Sequence, residues 1–112
     1  MANIALNQAL PGGALLTATT PTAGPDNLTP GDGSAGVYLL VNNASGGSTT
    51  ITILNPGTTK YGQANPSITG AVAAGTMRVF GPFYFDLAQA SDSLIDVTSS
   101  VTASVSFYSF RG

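Results

Sequence analysis

The chain has 112 residues, and only 7% of them are charged, against roughly a quarter in ordinary soluble proteins. Three scattered cations and a formal net charge of −2 give no basic patch, which excludes nucleic-acid binding through the phosphate backbone. With 43% hydrophobic residues the chain can bury one modest core, so we expect a single folded domain. Because so few charges leave little repulsion between molecules, we also expect association with other chains.

The residue types that carry most enzyme chemistry are missing, because the sequence has no Cys, His or Glu. Their absence excludes thiol nucleophiles, imidazole bases, disulfides and the common zinc ligand sets. The spacing of Asp26 and Asp32 does not match a calcium loop, and Asp92 and Asp96 stand near serines, as turn-forming residues do. We therefore expect no enzyme activity, no cofactor, no metal and no small-molecule substrate.

Residues 1–35 are rich in glycine and contain four of the seven prolines. A helix cannot run through such a stretch, so we predict an extended arm with short strands at residues 4–10 and 14–18. A flexible linker is the alternative interpretation. The first residues lack the basic and apolar regions of a signal peptide, and no later segment is long enough to span a bilayer. We expect synthesis in the cytoplasm and no membrane partner.

Residues 36–112 have the alternating pattern of β-strands and form the predicted folded domain. Short strands separated by turn residues, without an amphipathic helix, predict an all-β antiparallel β-sandwich, with a small β-barrel as the alternative. The strands are expected at residues 36–43, 48–54, 67–72, 76–80, 93–97 and 101–110.

The aromatic residues fall mainly in two groups, one after a Gly-Pro break and one in the last predicted strand. Phe83 and Tyr84 belong to the first group, and we favour core packing for both, with a role as partner anchors as the alternative. Alternation places Tyr108 and Phe110 opposite the core-facing residues, so they are exposed unless another layer or subunit covers them. Arg78 is predicted to point outward, either as a core-edge charge paired to an Asp or as an interface anchor.

Several short motifs follow one another along the predicted domain: NNASG at residues 42–46, NPGT at 55–58, AGTMRVFGPF at 74–83 and the alternating VTASVSFYSF at 101–110. This succession resembles the small capsid decoration (cement) proteins of tailed bacteriophages. Such proteins are compact β-rich domains that sit on the outer shell and clamp neighbouring capsid subunits. The resemblance implies a structural virion protein on the capsid outer surface, with the phage major capsid protein as its partner and a dimer or trimer as its own oligomer.

The arm matches this pattern less well. We expect its own domain or a neighbouring subunit to hold it, and our hypothesis is that residues 2–29 lie along a neighbouring subunit by strand addition. The candidate partner-binding residues come from the arm, from the strand at 76–80 and from the two aromatic groups. They are Ile4, Leu6, Leu10, Arg78, Phe83, Tyr84, Tyr108 and Phe110.

A second hypothesis is a carbohydrate-binding or adhesin-like β-sandwich module of a phage fibre or tail. Lys60 and Tyr61, with Gln63 and Asn65 close by, are suited to contact sugar by stacking and hydrogen bonds, although an ordinary polar loop has the same composition. Asn27 and Asn43 head formal N-glycosylation sequons, which matter only in a secreted protein.

Overall fold

The structure is a computed structural model, and it describes residues 3–8, 11–13, 15–31, 36–84, 87–89 and 93–111. These residues contain eight strands: β1 (Leu6–Gln8), β2 (Asp26–Leu28), β3 (Val37–Asn43), β4 (Thr49–Ile53), β5 (Ile68–Val72), β6 (Thr76–Phe83), β7 (Ile95–Ser99) and β8 (Val105–Arg111). In this part of the chain no helix is long and apolar enough to cross a bilayer.

The strands form two four-stranded sheets that pack against each other. The first sheet has the order β1-β8-β3-β6, and the second has the order β2-β7-β4-β5. Neither sheet closes into a barrel, so the predicted β-sandwich is confirmed and the barrel alternative is wrong. Neighbouring strands pair antiparallel, except that β1 runs parallel to β8.

Alternation along the central strands builds the core between the two sheets. On β3 the side chains of Val37, Leu39 and Val41 are fully buried, and the residues between them are only half-buried. On β8 the same holds for Val105 and Phe107. Burying an aliphatic or phenyl side chain of this size contributes about 1.5–3 kcal/mol relative to leaving it in water. The period-2 pattern of the sequence therefore predicts the core-facing residues of these strands.

Two strands begin later than the sequence pattern predicts. Alternation predicts a last strand from residue 101, whereas β8 begins at Val105, immediately after Ser104 with its positive φ of 59°. In the same way β7 begins at Ile95, because Ser93 has a φ of 60°. A residue in the left-handed region interrupts extended backbone, and serine gives no warning of it in the sequence.

Parts of the segment predicted as an arm belong to the sandwich, whereas the described residues 11–13 and 15–18 are exposed and lie in no strand. β1 pairs with β8, β2 pairs with β7, and Ile4 and Leu28 are core residues. The Ile4 amide donates to the Asn27 carbonyl at 2.8 Å and ties the two short strands together. The predicted strand at 4–10 is present as β1, whereas residues 15–18 form no strand and β2 was not predicted. β1 and β2 each pair within their own chain on one side and end the order of their sheets, so strand addition of the arm to a neighbouring subunit stays a prediction.

A β-bulge shifts the aromatic end of β6. Val37 pairs with Phe83 and Leu39 with Phe80, so a two-residue step on β3 faces a three-residue step on β6. Gly81 lies within the bulge with a φ of 124°, and a Cβ at this position would come within 2.9 Å of the Val37 carbonyl oxygen. Glycine is therefore required for the close approach of the two strands.

Candidate functional site

The first sheet presents an apolar surface to the outside of the sandwich, made of residues that alternate with the core residues. The strand register aligns Tyr38 with Phe110, and it places Leu40 between Val79 and Tyr108. Residues paired in this way project from the same side of a sheet. We call this surface the outer face. Its apolar residues are Tyr38, Leu40, Met77, Val79, Tyr108 and Phe110, and the polar residues Asn42 and Ser106 lie beside Met77 at one end of it.

The outer face has the composition of a protein–protein contact. Met77 is 64% exposed and Val79 is 53% exposed, while the rings of Tyr38 and Phe110 stack with their centroids 5.5 Å apart. None of the six residues is charged. The centres of protein interfaces are likewise depleted of charge and enriched in Tyr, Phe and Met. The face is therefore chemically suited to cover another protein surface.

The outside of the second sheet is different, because it carries mainly threonine. Thr52 is aligned with Thr69 on one side and with Thr98 on the other, and Asn27 is aligned with Asp96. Hydroxyl, amide and carboxylate groups are well hydrated and are costly to bury without partners. The two sides of the sandwich therefore differ: the second is suited to water and the first to a partner.

A second apolar feature lies at the edge of the sandwich where β5 and β6 meet. It is a cavity of about 370 Å³ that opens to the surface, and we call it the edge pocket. It is lined by Ile68, Phe80, Gly81, Pro82, Phe83, Tyr84 and Leu87. None of these residues is charged, so the pocket is suited to apolar groups rather than to ions.

Arg78 bridges β6 and β5 at this edge. It is aligned with buried Val41, so its side chain projects from the core-facing side of β6, but the residue is exposed because it lies at the edge of the sandwich. Its Nη1 donates to the Ala71 carbonyl at 2.9 Å, and its guanidinium lies 5.1 Å from the Phe80 ring centroid. Gly70 makes room for this arrangement, because a Cβ there would come within 2.6 Å of the Phe80 ring. Arg78 is thus a core-edge residue whose partners are a carbonyl and a ring.

The predicted contact residues are distributed over the structure rather than gathered in one site. Tyr108 and Phe110 lie on the outer face, and Tyr84 lines the edge pocket. Ile4 is buried, so its side chain is not available to a partner, whereas Leu6 is partly buried and packs against the core.

The remaining predictions have mixed outcomes. Phe83 is 4% exposed, which confirms its core position, whereas Tyr84 is 43% exposed and its predicted core position is wrong. Leu10 lies outside the described residues. Met77 and Val79 were not singled out as contact residues, although their period-2 spacing on one face of a strand indicated a shared surface.

The loop between β4 and β5 presents the residues considered for sugar binding. Tyr61 is 82% exposed, and Lys60 Nζ lies 5.3 Å from its ring centroid. The loop is closed by backbone hydrogen bonds from Asn65 to Gly57 at 3.0 Å and from Thr59 N to Gln63 O at 2.7 Å. These bonds hold the exposed tyrosine at a defined position. Tyr61 is the one aromatic residue of this loop, all of whose residues the structure describes.

The Asn43 sequon is closed to modification by its own hydrogen bonds. The Asn43 side chain is fully buried, and its Nδ2 donates to the Gly47 and Val72 carbonyls, both at 2.8 Å. Its Oδ1 accepts from the Ser45 amide at 3.0 Å and from the Ser45 hydroxyl at 2.6 Å. The amide therefore fixes the turn between β3 and β4. At the other sequon, Asn27 Nδ2 donates to Asn3 Oδ1 at 3.2 Å.

The two aspartates that the structure describes belong to strands of the second sheet. Asp26 is fully buried, and its carboxylate accepts from the Thr22 amide at 3.0 Å and from the Thr22 hydroxyl at 2.6 Å. Asp96 lies within β7, while Asp32 and Asp92 lie outside the described residues. A search of the described residues finds no group of three or more His, Cys, Asp or Glu that could hold a metal ion.

Comparison with known proteins found no matching family model, no matching curated protein and no matching solved structure. The fold and the surfaces together define a two-sheet β-sandwich with one apolar side and one apolar edge pocket.

Proposed function

We propose that this chain is a capsid decoration (cement) protein, a structural virion protein that binds the outer surface of a phage capsid and bridges major capsid protein subunits. The observation that carries the proposal is the difference between the two sides of the sandwich. The outer face is apolar and uncharged, whereas the opposite side is covered mainly by threonines. In this proposal the outer face contacts the capsid, and the threonine-covered side faces the solvent.

The physical reason is the cost of leaving such a face in solvent. Large contiguous apolar patches are uncommon on monomeric proteins and usually mark a docking surface. Tyr38, Tyr108 and Phe110 supply large and fairly rigid contact area, and Met77 is an adaptable apolar side chain. The sandwich provides a fixed support, because β3 lies between β6 and β8 in the first sheet.

The repeated geometry of a capsid suits a protein with a contact of modest size. A copy that also associates with other copies presents several outer faces at once to a lattice of identical subunits. Each further contact is then intramolecular and is favoured by a high effective concentration. The low charge content of the chain, 7%, opposes neither kind of association. We therefore propose a dimer or trimer on the capsid.

The proposal is tested by co-sedimentation of the purified chain with undecorated phage capsids. We expect saturable binding, a raised capsid melting temperature, and at least about tenfold weaker binding for the double variant Met77→Ser/Val79→Ser, because two exposed contact side chains lose their apolar area. Leu54, which is 40% exposed just after β4, provides the matched control Leu54→Ser, which should bind like the parent chain. Absence of co-sedimentation by the parent chain would refute the capsid proposal.

A glycan-binding module of a fibre or tail is the second candidate, and exposed Tyr61 beside Lys60 is the observation that favours it. A glycan screen with the parent chain and with Tyr61→Ala separates the two. Glycan affinity that disappears in Tyr61→Ala, together with no capsid binding, would replace the decoration proposal with the second candidate.

A further inference from the structure

Leu15 is held in solvent by a segment that is fixed at its far end. Its side chain is 97% exposed. Two residues later, the Thr17 amide donates to Asn7 Oδ1 at 3.3 Å. Thr19 and Phe107 then exchange two backbone hydrogen bonds, both 2.8 Å long, along the edge of the first sheet. The segment is therefore tied to the sandwich while Leu15 projects from it.

A single exposed leucine is ordinary on a protein surface and needs no explanation. Leu15 is followed by Leu16, which is 41% exposed, and we call the two side chains the leucine knob. The edge pocket is a separate apolar concavity of about 370 Å³, near the lower limit of roughly 300–1,000 Å³ for ligand pockets. The same chain therefore carries an apolar projection, the leucine knob, and a small apolar cavity, the edge pocket.

The knob and the pocket lie on opposite edges of the first sheet. The knob is tethered beside β1 and β8, at the edge where β1 ends the strand order, whereas the pocket adjoins β6, which ends the order on the other side. Since Leu15 is almost fully exposed, it does not fill the pocket of its own chain. Complementary surfaces on opposite edges produce head-to-tail contacts between copies, which close into rings or continue as chains.

We propose that the leucine knob of one copy inserts into the edge pocket of a second copy in a head-to-tail arrangement, in which the second copy places its own knob in a third. The occupant is apolar, as the lining of the pocket requires, and no charge is buried in the contact. The inference goes beyond the proposed function, because it concerns contacts between copies of this chain and holds or fails without a capsid.

The backbone beside the pocket offers a second kind of contact. The Ala71 carbonyl accepts from Arg78 at 2.9 Å. Ala71 is aligned with Thr50, whose carbonyl accepts from the Ser100 amide on the other side of β4, so the backbone groups of Ala71 point away from β4. β5 is an edge strand, and the alternation of an antiparallel ladder turns the backbone groups of Thr69 the same way. The segment that carries Leu15 can therefore pair with Thr69 while the Leu15 side chain enters the pocket and Leu16 covers its rim.

The contact is small, so the association is concentration-dependent. Two leucine side chains cover far less than the roughly 800 Å² per partner of a stable interface. A ring in which every copy both gives a knob and receives one gains stability from closure. We expect monomers at low concentration and a discrete larger species as the concentration rises, measured by light scattering coupled to size-exclusion chromatography.

The direct test is cysteine cross-linking, since the native chain has no cysteine. The variant Leu15→Cys is mixed with Ile68→Cys, whose parent side chain lines the pocket and is 41% exposed. The matched control mixes Leu15→Cys with Leu54→Cys, at a position that is 40% exposed and outside the pocket. We expect mild oxidation to give at least about tenfold more heterodimer in the first mixture, because a disulfide requires Cα atoms within about 7 Å.

The chain carrying both Leu15→Cys and Ile68→Cys tests the head-to-tail arrangement. It should form covalent species larger than a dimer, whereas a two-fold arrangement of the same contact stops at a dimer. Equal cross-linking in the two mixtures, or covalent growth that ends at the dimer, would overturn the proposal.

The knob variant Leu15→Ser/Leu16→Ser separates this interface from the outer face. It should shift self-association to at least about tenfold higher concentration, since it removes the apolar groups that fill the pocket. Self-association that survives in this variant but is lost in Met77→Ser/Val79→Ser would show that copies meet through the outer face, and the knob proposal would be wrong. If the knob variant loses self-association but still binds capsids, the contact between copies and the contact with the capsid are separate surfaces.

Discussion

Phe80 and Phe83 stand three positions apart on β6, yet both side chains are buried, with 7% and 4% of their surface exposed. In a regular strand, residues three apart point to opposite faces. The bulge opposite Val37 and Leu39 restores the inward direction of the second phenylalanine. The next residue, Tyr84, is exposed and lines the edge pocket. The bulge therefore both fills the core and shapes the pocket.

The first prediction concerns Gly81, whose φ of 124° is unfavourable for any residue with a Cβ. We expect Gly81→Ala to lower the free energy of unfolding by about 2–3 kcal/mol, because the new Cβ is strained and meets the Val37 carbonyl oxygen. Chemical denaturation measures the change. Gly47→Ala is the control, since a Cβ there has no neighbour within 4 Å, and it should stay within about 0.5 kcal/mol of the parent. Equal stability of the two variants would contradict the bulge explanation.

The second prediction concerns the contact between Gly70 and Phe80. A Cβ at Gly70 would lie 2.6 Å from Phe80 Cε2 and 3.1 Å from Arg78 Nη1. We expect Gly70→Ala to destabilise the protein by about 1–3 kcal/mol through overpacking. The double variant Gly70→Ala/Phe80→Leu should be more stable than the sum of the two single changes predicts, because the smaller side chain makes room. Simple additivity in thermal or chemical unfolding would count against this contact.

The third prediction concerns Asn43, whose buried amide closes the turn between β3 and β4. Asn43→Ala leaves the Gly47 and Val72 carbonyls without their side-chain donor, and we expect a loss of about 2–4 kcal/mol in the free energy of unfolding. Asn42→Ala is the neighbouring control, because Asn42 is only half-buried and points to the other side of β3. Its cost should remain below about 1 kcal/mol. A similar cost for both variants would show that the hydrogen bonds of Asn43 contribute little.

The fourth prediction is a stabilising change at Ser104, which has a φ of 59°. Glycine adopts the left-handed region without a steric penalty, so we expect Ser104→Gly to raise the free energy of unfolding by about 0.5–1 kcal/mol. Ser106→Gly, within β8, should have the opposite effect, because glycine weakens a strand interior. Urea denaturation of the two variants gives the comparison. A loss of stability in Ser104→Gly would mean that the serine side chain favours the turn.

The sandwich was predictable because its central strands alternate cleanly. The pattern of β3, β4 and β8 identifies the buried residues, such as Leu39, Ile51 and Phe107, without any structural information. β2 was missed because Asp26 and Asn27 have low strand propensity. They form a strand only through pairing with β7, which is distant in the sequence.

The surfaces were less predictable than the core, because they depend on register and on a bulge. The sequence indicated that Tyr108 and Phe110 leave the core, but the strand pairing of β6, β3 and β8 is what joins them to Val79 and Leu40. The edge pocket needs the bulge at Gly81, which alternation does not reveal. The position of the leucine knob could not be predicted either, because it depends on the hydrogen bond from Thr17 to Asn7 at the sheet edge opposite the pocket.

Oxidative footprinting of Met77 on capsids is the most direct test of the proposed function, since this thioether lies on the outer face and is 64% exposed. Oxidation of Met77 and of the exposed Tyr61 is measured by mass spectrometry for the free protein and for the same protein bound to undecorated capsids. Because a covered thioether is shielded from oxidant, we predict at least about tenfold slower Met77 oxidation in the bound state, with Tyr61 little changed. An equal rate for Met77 in the two states would contradict the assignment of the outer face as the capsid-binding surface.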